Sequence, residues 1–288
     1  MGGGTWTTSS FRDYSNSVGR KVSLDGSLDG NYSAQDMFTS RRLASDLNPK
    51  NVIRECVDSD EHPNTKPVIL ALDVTGSMGS AAVEVAKQIN VVMTELYGKV
   101  NDIEFMIMGI GDLSYDSAPI QVSQFESDIR IAEQLDKVFF EGGGGGNGFE
   151  SYTAAWYFGL NHTKLDCWKR GQKGIIITMG DEPLNPYLPK RTLASVTGDG
   201  VEADIETSDL YNNAIQKFDI YHLNVEHGWT RYHDAIHETF GKYLDAKHLR
   251  DTTVDGITKE IIDIIVNAYN NADVSMNTVN TTAEGISW

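Results

Sequence analysis

The sequence predicts an α/β protein with a doubly wound, mostly parallel sheet and helices on both faces. Three observations predict it. The run Val68 to Leu72 is apolar without a break, as in a strand buried on both sides. Strand-like and helical patterns then alternate over roughly 200 residues, the rhythm of strand–helix–strand units. Two of the buried strands end in small and acidic residues, Asp73-Val74-Thr75-Gly76-Ser77-Met78-Gly79 and Gly180-Asp181-Glu182-Pro183. The carboxyl ends of parallel strands are where open α/β sheets hold ligands.

Residues 1–33 are rich in Gly, Ser, Thr, Asp and Asn without sustained periodicity. They read as an extended arm, disordered or laid across another surface. A short helix is expected from Ala34 to Asp46 and a strand-like piece from Asn51 to Val57. The linker Asp58-Ser59-Asp60-Glu61-His62-Pro63 clusters carboxylates, a cation site or simply a solvated acidic loop. Residues 1–66 are thus expected as an N-terminal extension, partly disordered or docked on a partner.

From residue 67 the pattern is regular. Strand Val68 to Asp73 leads to a helix with Val85, Ile89, Val92 and Leu96 at three- and four-residue spacing, a face that packs on the sheet. Strand Ile103 to Ile110 follows, then an alternating piece, Ile120 to Phe125, which suits an antiparallel edge. A helix is expected from Asp128 to Phe139. Glu141 and five glycines, Gly142 to Gly146, then Asn147-Gly148-Phe149-Glu150, form a loop before a helix from Ser151 to Leu160. The glycines lack the Gly-Lys-Ser/Thr of a phosphate loop and follow a helix, so a dinucleotide role is not expected; a flexible or tightly turning backbone that approaches the crevice closely is the structural reading. Strand Gly174 to Met179, the long insertion from Pro183 to Thr207, helix Ser208 to Phe218 and strand Asp219 to Val225 come next. A helical stretch from Arg231 to Phe240, a final amphipathic helix with Val254, Ile257, Ile261 and Ile265, and a polar tail over residues 271–288 complete the chain.

Asp73, Thr75 and Ser77 alternate, so one turn aims a carboxylate and two hydroxyls at a common point, beside the positive N-terminus of the next helix. These are hard oxygens, which favour Mg²⁺ over zinc or copper. The plainer reading is a small-residue turn with Asp73 capping the helix. The Asp-x-Thr-x-Ser motif resembles the opening of the metal-ion-dependent adhesion site of von Willebrand factor type A (VWA) domains, a Rossmann-like fold. The resemblance covers residues 67–270. It implies a six-stranded sheet with one antiparallel edge strand, and strands ending at Asp73 and Met179 as neighbours.

The resemblance also implies a second loop supplying a threonine and a third supplying an aspartate. The third loop reads Thr178-Met179-Gly180-Asp181-Glu182, with Met179 where many members have the carboxylate, so Asp181 is the residue carried over. The second loop has no threonine in place, leaving Asn147 or Glu150 to offer an oxygen, directly or through water. The implied metal set is Asp73, Thr75, Ser77, Asp181, Asn147 and Glu150, with Mg²⁺ bound and Mn²⁺ or Ca²⁺ as alternatives. Such a site leaves one position open for an Asp or Glu carboxylate of a protein partner. Intracellular members of the family serve as adaptors or assembly factors, some beside a ring ATPase. Asp112 is either a residue that orients a metal-bound water or an ordinary turn aspartate.

Composition narrows the function classes. The chain has 288 residues, enough for a large core, with 24 basic against 41 acidic residues and a net charge of −17. That surface repels phosphate backbones and anionic lipid, so neither nucleic acid nor membrane is expected as a partner. Cys56 and Cys167 have no metal-like spacing and, with no apolar leader, read as reduced thiols of a cytoplasmic protein of bacterial or bacteriophage type. His233 and His237 stand one helical turn apart, a reduced zinc-protease pattern with no third ligand apparent; surface histidines are the default. The expected function is therefore a metal-ion-dependent protein-binding module, not an enzyme. The alternatives are a phosphohydrolase using Asp73 as nucleophile, with Thr75 where a second aspartate is wanted, and a structural assembly protein with a vestigial site.

Overall fold

The computed structural model describes residues 4–142, 146–226 and 232–283, with side-chain surroundings as far as residue 270. Helix α1 (Thr8–Ser17) comes first, its opening turn capped by the Thr7 hydroxyl, which accepts from Ser10 N at 3.1 Å. Strand β1 (Lys66–Asp73) and helix α2 (Gly79–Tyr97) follow, then β2 (Ile103–Ile110), β3 (Ile120–Val122) and α3 (Arg130–Leu135). Helix α4 (Thr153–Asn161), β4 (Gly174–Gly180), α5 (Lys190–Thr197), α6 (Thr207–Ala214) and β5 (Phe218–Glu226) come next. Helix α7 (His233–Phe240), β6 (Leu249–Thr253) and α8 (Ile257–Ala283) end the described chain.

The main sheet has six strands in the order β6-β5-β4-β1-β2-β3. All pairings are parallel except β2 with the edge strand β3. This is the doubly wound, VWA-like layout with one antiparallel edge. Strand alternation divides the interior in two. Val68, Leu70 and Leu72 face a core shared with α2 and α8, through Val85, Ile89, Ile261 and Ile265. Ile69 and Ala71 face a second core with Trp156 and Phe158 of α4, Leu210 of α6 and Phe240 of α7. Each central strand is buried on both faces, which is why its sequence reads as a continuous apolar run.

The β1–β4 register positions the ligand rim. Leu72 lies opposite Met179, so the turns after Asp73 and after Gly180 leave the sheet side by side. On the far side Asn224 of β5 lies opposite Gly180 and also opposite Asp251 of β6. One row at the carboxyl crest therefore runs from Asp73 to Asp251 across four strands.

Several sequence expectations need correction. Of the two readings of the N-terminal arm, disorder does not hold over its described part, which is laid across the surface of the same fold. Trp6, Phe11, Leu28, Met37, Phe38 and Leu47 are buried in the α2/α8 core. The Trp6 indole N–H donates to Asn90 Oδ1 at 3.0 Å, and Asn90 Nδ2 donates to the Gly26 carbonyl at 3.0 Å. Gly26 has φ +92°, and a Cβ there would meet Asn90 Nδ2 at 2.8 Å, so glycine is required. Tyr14 and Arg20 both bond Asp136 at 2.7 Å, tying the segment to the end of α3. The helix over 34–46 shrinks to Ala34–Met37 and a 3₁₀ turn, Ser45–Leu47. In the acidic linker, Asp58 accepts from the Thr65 amide and hydroxyl and pairs with Arg170, so it serves the fold rather than a cation.

The insertion from Pro183 to Thr207 is built rather than loose. It holds a two-stranded ladder, Tyr187–Leu188 with Ile205–Glu206, and the helix α5, and it buries Leu188 and Leu193. Helix α8 runs on to Ala283, through most of the segment expected as a polar tail. Strand β6 was not marked by the sequence at all, because Leu249-Arg250-Asp251-Thr252-Thr253 is a polar edge strand.

Truncating the anchor of the N-terminal segment tests its structural role. Trp6→Ala empties a buried site and orphans Asn90 Oδ1, with an expected loss of roughly 3 kcal/mol in urea unfolding. A loss under about 0.5 kcal/mol would mean that residues 4–33 lie outside the cooperative fold.

Candidate metal-binding crevice

The crevice opens where the chain leaves β1 and β4. Its floor is Asp73, fully buried, whose Oδ1 accepts from the Thr75 amide at 2.9 Å and the Thr75 hydroxyl at 2.6 Å. Its Oδ2 accepts from the Tyr152 hydroxyl at 2.8 Å. Asp73 therefore closes a turn of its own rather than capping α2, and no side-chain cap bond is present at the start of that helix. At the mouth, the exposed Ser77 hydroxyl donates to Asp181 Oδ1 at 2.9 Å.

Tyr152 had no signal in the sequence. It stands just before α4, at a position that reads as one more core aromatic. Its place explains the glycine in Met179-Gly180-Asp181: a Cβ on Gly180 would lie 1.8 Å from the Tyr152 hydroxyl oxygen. Met179 is buried in the α2/α8 core, since strand alternation turns it away from the crevice. The acidic side chain at the rim is Asp181, two residues on.

Carboxylates dominate the electrostatics. Burial raises Asp73 to about 7, and the charge of Asp181 adds to this, while the Thr75 and Tyr152 hydrogen bonds oppose it. Burial likewise pushes Glu150 up to about 10, with Asp73, Asp116, Asp112 and Glu182 all acting in the same direction. Glu150 Oε2 and Asp112 Oδ2 are buried without a hydrogen-bond partner. Asp112 accepts from Ser114 N at 2.7 Å through Oδ1, and Asp116 Oδ2 accepts from Asp112 N at 2.7 Å. Such a concentration of acid with orphaned oxygens is a surface that a cation would neutralise.

Of the residues expected from sequence, Asp73, Thr75, Ser77 and Asp181 converge, and Glu150 lies within electrostatic reach of Asp73. Asn147 Oδ1, like Glu150 Oε2, is buried without a hydrogen-bond partner, and Gly148 beside it has φ +74°. Gly143 to Gly145 lie outside the described residues, so the close backbone approach expected of the glycine run is left aside.

The residues suit a hard divalent cation. Thr75, Ser77, Asp73 and Asp181 would hold it, with Glu150 behind them. Among the described residues, no three carboxylates of the crevice bring oxygens within 4.8 Å of one another; the single such set of His, Cys, Asp or Glu lies elsewhere. Hydroxyls and waters would therefore complete the shell, which is how Mg²⁺ is ordinarily bound.

No family model and no curated protein matches the chain. Solved structures do. The pilus adhesin SpaC from Lactobacillus rhamnosus GG, in its open conformation, aligns at 12% identity and a TM-score of 0.48, over 75% of this chain and 31% of that one. The vWF domain of the type V pili tip protein Mfa5 from Porphyromonas gingivalis aligns at 12% identity and 0.44, over 72% and 96%. Proximal thread matrix protein 1 from the mussel byssus, with a zinc-occupied MIDAS motif, aligns at 10% and 0.45, over 71% and 48%. The chain spans about a third of the length of the pilus adhesin. Likenesses this distant leave function to the chain's own residues.

Beneath Tyr152 lies His222, its ring 5.0 Å from the tyrosine ring and stacked 3.8 Å from Phe240. Burial lowers its pKa to about 3. Unfolding restores the ordinary value of 6.5, so between those values the unfolded chain binds a proton that the folded chain does not. The His222 contribution to stability accordingly falls as pH drops through that window, against the opposite contribution of the raised Asp73 and Glu150 carboxyls, and His222→Phe, which keeps the stack, is expected to retain more of its stability than the wild type in melts from about pH 7 to about pH 4.5. Gly180→Ala drives a methyl into Tyr152 and breaks its bond to Asp73, an expected cost of roughly 2 kcal/mol or more by urea unfolding. An unchanged midpoint would show that Tyr152 has another seat.

Proposed function

We propose that the chain is a divalent-cation-dependent protein-binding module whose contact point is the crevice at Asp73, Thr75, Ser77 and Asp181. The observation that carries this reading is Glu150. Its carboxyl is buried, with one oxygen lacking any hydrogen-bond partner, and the charges acting on it most strongly are all carboxylates. A protein that needed no cation there would have little reason to keep that group.

The cation is Mg²⁺ in this reading, with Mn²⁺ or Ca²⁺ accepted by the same oxygens. Asp73 lies at the floor and Ser77 at the mouth, which leaves the solvent side for a carboxylate of the partner. Locally the ion outweighs the net charge of −17, so an acidic partner group is favoured at contact. The role is that of an adaptor or assembly factor in the cytoplasm, with a ring ATPase as one kind of client. Two free, buried cysteines are compatible with a reducing compartment. Among the described residues no helix is long and apolar enough to cross a membrane.

Phosphoryl transfer at the same crevice is disfavoured. No lysine stands in either acidic turn to neutralise a phosphate, and the surrounding acids repel one. We therefore propose no catalytic step.

Mg²⁺ added to metal-free protein is expected to raise the melting temperature, by about 2.7 kcal/mol of stability at a hundredfold excess over Kd. Ser77→Ala and Asp181→Ala should lose most of that gain. Partner proteins captured on the wild type should be released by chelator and absent from Ser77→Ala. Equal melting with and without Mg²⁺, or capture indifferent to chelator, would sink the reading.

A further inference from the structure

A second cluster of metal-binding side chains stands on the same crest, at the opposite end of the row from Asp73. His233 and His237 are one turn apart on α7, and their rings lie 4.5 Å apart. The third member, Asp251, comes from β6, a strand that the sequence did not reveal. His237 Nε2 lies 2.8 Å from Asp251 Oδ1, and His233 Nε2 lies 3.8 Å from Asp251 Oδ2. One ligand atom from each of the three lies within 4.8 Å of the other two. Asn224 Nδ2 donates to Asp251 Oδ1 at 2.7 Å and fixes the carboxylate from β5.

We propose that His233, His237 and Asp251 form a second metal site, selective for a borderline transition cation, with Zn²⁺ as the chief occupant. Two imidazoles and one carboxylate are the donor chemistry of Zn²⁺, Ni²⁺ and Cu²⁺, whereas the all-oxygen crevice suits Mg²⁺. Zinc bonds of about 2.0–2.2 Å place tetrahedral donors roughly 3.4 Å apart, so small side-chain rotations seat the three around one ion. Water, or Glu226, whose Oε1 is 3.9 Å from His233 Nε2, takes the fourth position.

The site's location gives it a task. Helix α7 also supports the crevice. Thr239 Oγ1 accepts from Leu184 N at 3.0 Å, just after Asp181-Glu182-Pro183, and Phe240 stacks on His222 beneath Tyr152. A zinc ion joining α7 to β6 staples that helix to the sheet edge and holds the third loop in place. The donor set stands independently of the crevice reading, because it shares no residue with it.

The test is equilibrium dialysis of the full chain against Zn²⁺ in excess Mg²⁺, with metal quantified per chain. One zinc per chain is expected for the wild type and for Ser77→Ala. The affinity should fall at least about tenfold in both His233→Ala and His237→Ala. Both histidines are partly exposed on a helix surface, and circular dichroism with thermal melting checks that the variants fold. Zinc should also raise the melting temperature of the wild type but not of His237→Ala. Absence of bound zinc, or zinc bound equally by wild type and both histidine variants, overturns the proposal. Zinc lost in Ser77→Ala yet kept in the histidine variants assigns the ion to the crevice and overturns it as well. Failure of Mg²⁺ to bind at Ser77 would leave the histidine outcome standing, so the two readings fail separately.

Discussion

The bonds that hold Asp73 at the end of β1 govern the surroundings of the site. A carboxylate with no exposure loses its hydration, and only hydrogen bonds or a counter-charge can offset that loss. Thr75 supplies two donors from the same turn, and Tyr152 supplies a third from the start of α4. The Tyr152 bond requires α4 to approach the end of β4 closely, and only glycine at 180 leaves room. Sequence choices at three separated places thus follow from one buried group. What remains uncompensated is Glu150, a second acid in the same neighbourhood, whose burial and acidic neighbours push its pKa up to about 10.

Legibility followed the kind of information each feature needs. The central strands were visible because burial on two faces leaves a run of apolar residues, as in Val68 to Leu72. The convergence of the Asp73 and Asp181 turns was visible because parallel strands put their carboxyl ends on one rim. Tyr152 was hidden, because its role depends on how closely α4 meets β4, and a tyrosine beside Ala154, Ala155 and Trp156 looks like core. The N-terminal segment left two readings open because its composition is polar, and a few well-spaced apolar residues such as Trp6 and Phe11 lay it across a surface when the groove to receive them lies on α2.

The polar edge strand β6 had a larger consequence than its length implies. Without it, His233 and His237 are a surface pair with no third donor, and the bland reading wins. With it, Asp251 comes to within 2.8 Å of His237, held there by Asn224 from the neighbouring strand. A single register, in which Asn224 faces both Gly180 and Asp251, aligns this cluster with the crevice. At about 4.8 Å between strands, three spacings separate Asp73 from Asp251 by roughly 14 Å. That is close enough for α7 to serve both, and too far for one ion to bridge them.

Two donor sets of different hardness on one rim differ in the metals they prefer, since imidazole discriminates strongly for zinc over Mg²⁺ while carboxylate and hydroxyl oxygens accept either. The arrangement also divides labour mechanically. In the proposed reading the crevice stays open on its solvent side to admit a partner's carboxylate, and an open, acidic loop cluster is among the less stable parts of a fold. A tie placed on α7 strengthens the support of that cluster from behind, through Leu184 and the Phe240–His222–Tyr152 stack, without occupying the mouth. On the two proposals together, the binding surface keeps its access because its support comes from the helix beneath it.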